Sequence, residues 1–257
     1  MGIKVFIARI LFSGAILLFP SVHAMAQDDA CTIAEGHCAF DLLEKEAGHI
    51  SETVWRDQIY RELAKLLAAE GRTDDAIPLI DRIETPDTKA MTIRGIGMAV
   101  AELDWDKTRY NSLFKALRVE AEKITHPPSY AIALTYIAMA QAFAGDNEGS
   151  WKTAADMAND ALRHKAYGET AEIQAEHGDA KSAMKSIGFI DSEAYRNKSY
   201  STIAHILADD AHYEEALQAA IPINNAYKKA QTILYILDKK RFEDLNQKLK
   251  KEEQTFD

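Results

Sequence analysis

Two cysteines, eight histidines and a scatter of acidic doublets are the residues of this chain whose types could do chemistry. Cys31 and Cys38 stand close together. In an oxidising compartment such a pair is most simply a disulfide, closing a small loop around Gly36. The alternative is a metal site that recruits His37, but a lone C-x6-C lacks the usual zinc spacing and a second ligand pair. The C-x-x-C motif is absent, so thiol redox catalysis has no support. His205 and His212 are the nearest histidine pair; a turn lies between them, and a metal there would also need Asp209 or Asp210 to converge. The doublets Asp74-Asp75, Asp209-Asp210 and Glu214-Glu215 read as helix-end residues, explained by solvation and the helix dipole. No G-x-S-x-G, Gly-rich phosphate loop or H-E-x-x-H is found. General acid–base catalysis needs two carboxylates facing one another in a cleft, which no spacing here announces. The residues point to a protein without enzymatic activity, resident metal or cofactor.

What must position these residues is a repeat. One anchor in each short turn between paired helical stretches gives Gly71, Asp104, Gly145, Gly178 and Ala211, at intervals of 33, 41, 33 and 33 residues. Self-similarity at this period marks helical hairpins that bury their apolar faces against their neighbours. In the clearest unit Tyr60, Leu63, Ala64 and Leu67 form one stripe, Gly71 breaks the helix, and Ala76, Leu79, Ile80 and Ile83 form a second stripe before Pro86. Seven residues before each anchor stands a small residue (Ala64, Gly97, Ala138, Ala171, Ala204), which lets the two helices of a hairpin approach closely. The first helices open on a residue followed by a base, as Trp55-Arg56, Thr88-Lys89, Leu162-Arg163, Tyr195-Arg196 and Tyr227-Lys228, a mark that Pro127-Pro128 replaces once. The base reads as a solvated neighbour. The eight additional residues between Asp104 and Gly145 lengthen the helix from about Lys107 to Ile124, by about 12 Å.

The pattern Leu63-Ala64…Gly71…Ala76, with Ile137-Ala138…Gly145, Ala171…Gly178…Ala183 and Ile203-Ala204…Ala211…Ala216, resembles the tetratricopeptide repeat (TPR). The resemblance covers about residues 57–245. It departs from the family in keeping the expected aromatic only as Tyr60, Tyr167 and Tyr200, and in lacking most of the closing prolines. It implies an all-α, right-handed TPR-like solenoid of about five to six helical hairpins, with a concave groove lined by the first helices. The groove positions it implies are Gln58, Arg61, Lys65, Met91, Arg94, Met98, Thr135, Met139 and His205. An alanine occupies the innermost position of each unit (Ala68, Ala101, Ala142, Ala175, Ala208), suggesting a shallow floor. Arg61, Lys65 and Arg94 make a basic spot able to grip a carboxylate, and the methionines offer an adaptable apolar lining.

Residues 1–26 read as a secretory signal peptide: Lys4 and Arg9, an apolar run from Ile10 to Phe19, then Ala24-Met25-Ala26, with cleavage after Ala26. The run is short for a bilayer span, so no stable membrane insertion is expected after cleavage. The expected location is the periplasm or the exterior. Residues 27–56 form an N-terminal arm and capping helix with the Cys31–Cys38 pair, residues 57–245 the repeats, and residues 246–257 a charged tail. After cleavage 28 Lys and Arg face 40 Asp and Glu, which disfavours nucleic acid or an anionic membrane as partner. The sequence therefore points to an exported adaptor or scaffold that holds a protein or peptide. The alternatives are a helical-solenoid enzyme acting on envelope polymers and a structural, homo-oligomerising protein.

Overall fold

A computed structural model describes residue 31 and residues 36–254. The expected signal peptide and residues 255–257 lie outside the described residues. The described residues fall into two units that divide between Ala39 and Phe40. In the first, Cys31 and Cys38 stand at disulfide distance, their Cα atoms 5.6 Å apart. Among the described residues every regular element is a helix: α1 (Gly36–Gly48), α2 (Thr53–Ala69), α3 (Thr73–Ala76), α4 (Leu79–Arg82), α5 (Pro86–Ala101), α6 (Lys107–Glu122), α7 (Pro127–Phe143), α8 (Asn147–Ala155), α9 (Asp160–Glu176), α10 (Ala180–Gly188), α11 (Glu193–Asp209), α12 (Tyr213–Ala220) and α13 (Ala226–Gln254).

The helices pack in a way compatible with a helical repeat fold. Long helices α2, α5, α7, α9, α11 and α13 each lie against the next in that series, and the shorter helices fold back on the long helix before them. The extra residues sit in α6, which has 16 residues where α8 and α10 have nine. The apolar stripes make the core: Leu63, Ile96, Ile137, Ile203 and Leu207 are almost completely buried, each contributing about 1.5–3 kcal/mol in removal from water. The small residues seven before each turn are all buried, and at Gly97 the tightest neighbour differs from the expected one. A Cβ on Gly97 would come within 2.8 Å of Ala140 on α7 and 3.6 Å of Leu117 on α6. The close approach is therefore to the next long helix more than to the hairpin partner.

The turns share one geometry. The five anchors Gly71, Asp104, Gly145, Gly178 and Ala211 are the residues in the left-handed region among those described, with φ of 76°, 49°, 76°, 73° and 63°. In four of them the next N–H reaches back five residues: Arg72 to Leu67, Asp146 to Gln141, Asp179 to Gln174 and His212 to Leu207, the closure of a Schellman motif. The Asp104 turn is different. There the Tyr110 hydroxyl accepts from the Trp105 N–H at 3.2 Å and faces the Val100 and Ala101 carbonyls, bridging the bond that is missing.

Buried polar groups stitch the middle of the stack. Thr153 donates to Gln141 at 2.7 Å and Ser186 to Gln174 at 2.6 Å. Gln174 donates onward to Asn147, Asn147 to Asp179 and Ser182, and the Trp151 indole to Ser186. Three of the bases opening the long helices are not the solvated neighbours that their sequence position suggested. Arg56, Arg163 and Arg196 each donate to the carbonyl six residues earlier, those of Ile50, Met157 and Ile190. They satisfy acceptors left at the end of the preceding segment, which a buried backbone requires.

Candidate functional site

Five of the groove residues expected from the sequence meet in one cleft between α2 and α5. Arg61 and Lys65 are one turn apart on α2, and Met91, Arg94 and Met98 share a face of α5, which lies against it. With Ala69, Ala99 and Leu103 they enclose about 600 Å³, a volume in the range of small-ligand sites. Gly95 opens the cleft's side: a Cβ there would stand 3.6 Å from the Lys65 stem.

The bases of the cleft are not equivalent. Arg61 is held by Glu62, both its Nε and Nη2 donating to one carboxylate oxygen at 2.9 and 2.7 Å. Arg94 is exposed and lays its guanidinium over the Tyr136 ring, 5.3 Å from its centre, a contact that orients the group without neutralising it. Among the described residues neither Lys65 nor Arg94 forms an ion pair. Glu102, at the end of α5, also lines the cleft. The sequence reading missed Glu62, Glu102 and Tyr136. Only Glu62, adjacent to Arg61, left a local trace in the sequence.

The other expected positions do not join this cleft. Gln58 is exposed on α2 but does not line it, and Met139 is half-buried on α7. Thr135 is buried, its hydroxyl donating to the Ala131 carbonyl at 3.0 Å. His205 packs its ring on Tyr235, centroids 4.1 Å apart. Burial pushes the His205 pKa down from its ordinary value, Asp209 opposing and Lys228 reinforcing the shift. The alanines read as a groove floor are core instead: Ala68, Ala142, Ala175 and Ala208 are at most 2% exposed, because that side of each long helix faces the neighbouring helices. Only Ala101 is partly open.

Further along the long helices the electrostatics reverse. Burial, then the like charges of Glu169 and Glu176, push the Glu172 carboxyl up, with Lys198 opposing. Asp209 is held below its usual range chiefly by the Lys239 ammonium 2.6 Å away, aided by the Tyr235 hydroxyl. Asp209 is thereby committed to ion pairing, and among the described residues no group of three or more His, Cys, Asp or Glu could hold a metal ion. Among the same residues no helix is long and apolar enough to cross a membrane.

No protein-family profile matches the chain, and no curated protein matches it. Among solved structures it is similar to the crystal structure of Ton1535 from Thermococcus onnurineus NA1, with 17% identity and a TM-score of 0.36. The match covers 67% of this chain and 56% of that one.

Proposed function

We propose that this protein is a non-enzymatic, exported adaptor: a right-handed, TPR-like α-solenoid of five to six hairpins that binds a peptide or protein through the α2–α5 cleft. The reading takes residues 1–26 as a signal peptide, 27–56 as an N-terminal arm and capping helix with the Cys31–Cys38 pair, 57–245 as the repeats and 246–257 as a charged tail. It is supported by one observation above all. Residues at partner-facing positions of the repeat line one cleft in which, among the described residues, Lys65 and Arg94 form no ion pair and stand beside Met91 and Met98. Two unpaired cations on a chain of net charge −10 suit a carboxylate, either an acidic side chain or a chain terminus, with an apolar neighbour against the methionines. Of the two carboxylates in the cleft, Glu62 is tied to Arg61, which favours holding a ligand over acid–base work.

The test is crosslinking in the native cell envelope, with a photo-reactive residue at Met98 and mass spectrometry of the product. A partner captured by the wild type and lost in Lys65→Glu with Arg94→Glu supports the reading. An unchanged crosslinking pattern in that variant, or no product at all, overturns it.

A further inference from the structure

We propose that a second recess, beside the α5–α6 turn, binds the cationic side chain of a peptide, a lysine ammonium or an arginine guanidinium. The recess is distinct from the α2–α5 cleft, and the proposal does not rest on the reading of that cleft. It encloses about 530 Å³, enough for one long side chain and its flanking backbone.

Its walls are aromatic. Trp105 and the buried Tyr110 stand on one side, and Phe143 with the edge-on His177 ring, 4.8 Å between centroids, on the other. Aromatic faces attract cations through their quadrupole, and Trp105 already holds one. The Arg109 guanidinium lies 3.4 Å from its ring centre, on the side of the Gly71 turn, where it also donates to the Gly71 carbonyl. Arg109 is not one of the residues lining the recess.

The charge of the lining has the matching sign. Glu102, Asp104 and Asp146, the last also capping α8 by accepting from the Gly149 N–H, line the recess together with Lys107 and the His177 ring. Among the described residues none of these side chains is in an ion pair, so an arriving cation displaces no salt bridge. The Tyr110 hydroxyl, bonded to the Trp105 N–H, fixes that wall before any ligand arrives, which lowers the ordering entropy of binding. Glu102 lines both this recess and the α2–α5 cleft.

The experiment follows the indole Nε1–H resonance of Trp105, identified by its loss in Trp105→Phe, during titration with N-acetyl-lysine methylamide and N-acetyl-arginine methylamide. N-acetyl-norleucine methylamide supplies the same stem without charge, and N-acetyl-glutamate methylamide the opposite charge. The cationic probes should shift the resonance saturably, at least about tenfold more tightly than norleucine, a difference of about 1.4 kcal/mol. Glu102→Gln combined with Asp104→Asn should abolish that preference. Both sites are exposed, and Asn tolerates the left-handed region, so the thermal midpoint should be retained. Equal binding of norleucine, preference for glutamate, a preference that survives in the double variant, or no shift at roughly 20 mM probe overturns the proposal. These outcomes are independent of Lys65 and Arg94, so they are separable from failure of the α2–α5 reading.

Discussion

Replacing Gly145 by alanine should destabilise the protein by about 1 kcal/mol, and replacing Ala211 by glycine should stabilise it by a similar amount. Both sites are left-handed, with φ of 76° and 63°. A Cβ in that region costs about 1–2 kcal/mol, and the restriction that alanine places on the unfolded chain offsets about 0.4–1 kcal/mol of it. Gly145 isolates this effect, because an added Cβ would meet no atom within 4 Å. Gly178 is a control of nearly the same kind, its added Cβ making only ordinary contact with the His212 ring at 3.5 Å. For a chain of this size 1 kcal/mol moves the thermal midpoint by roughly 2–4 °C, readable by circular dichroism of the helices. The sites lie in different turns, so the double variant should return close to the wild type. If Gly145→Ala raises the midpoint, as alanine does inside a helix, the turn is not left-handed and the shared register is refuted.

Gln174→Leu should cost about 1–3 kcal/mol, because it leaves the buried Ser186 hydroxyl and the Asn147 side chain short of a partner; an unchanged urea midpoint would show that these bonds add nothing. Arg163→Ala should lose about 1 kcal/mol with the bond to the Met157 carbonyl, and Arg163→Lys should recover little of it, since a lysine lacks the planar fork; full rescue by lysine, in the same urea assay, would count against that role. His205 should titrate below about 6.5 by proton NMR, because burial favours its neutral form. The unfolded chain then binds more protons near that pH, so the stability His205 contributes is present above about 6.5 and is lost as pH falls through its folded value. His205→Gln should remove this component of the pH dependence, and a titration at or above the ordinary value would refute it.

The turns were the most legible part of the sequence, since a left-handed residue leaves a mark when it is glycine. Asp104 and Ala211 were found only by register, and they proved to share the conformation. The cleft was legible for a related reason: residues one period apart on neighbouring long helices occupy equivalent faces, which brings Arg61 and Arg94 to one cleft. Period alone does not say which of two adjacent faces is open. Ala68, Ala142, Ala175 and Ala208 were therefore taken for a groove floor when they are core. The bases of Arg56, Arg163 and Arg196 were misread because a carbonyl acceptor has no letter of its own in a sequence. Gln141 and Gln174 stand one period apart, as do Thr153 and Ser186, a paired polar signal inside apolar stripes that was visible and passed over.

Those pairs bear on how a chain of look-alike hairpins avoids assembling in the wrong order. Counted from the turn, the equivalent positions of the long helix and its short partner hold Leu67 and Leu79, then Gln141 with Thr153 and Gln174 with Ser186, and finally Leu207 and Ala219, all of them buried, while α5 carries the buried Val100. A long helix that captured the short helix of an end hairpin would set a glutamine against an alkyl side chain, and a buried amide without a partner is penalised by about 1–3 kcal/mol. The correct arrangement needs no such concession. The polar pairs thus distinguish the middle hairpins from the outer ones by a chemical match that shape and hydrophobicity alone do not supply.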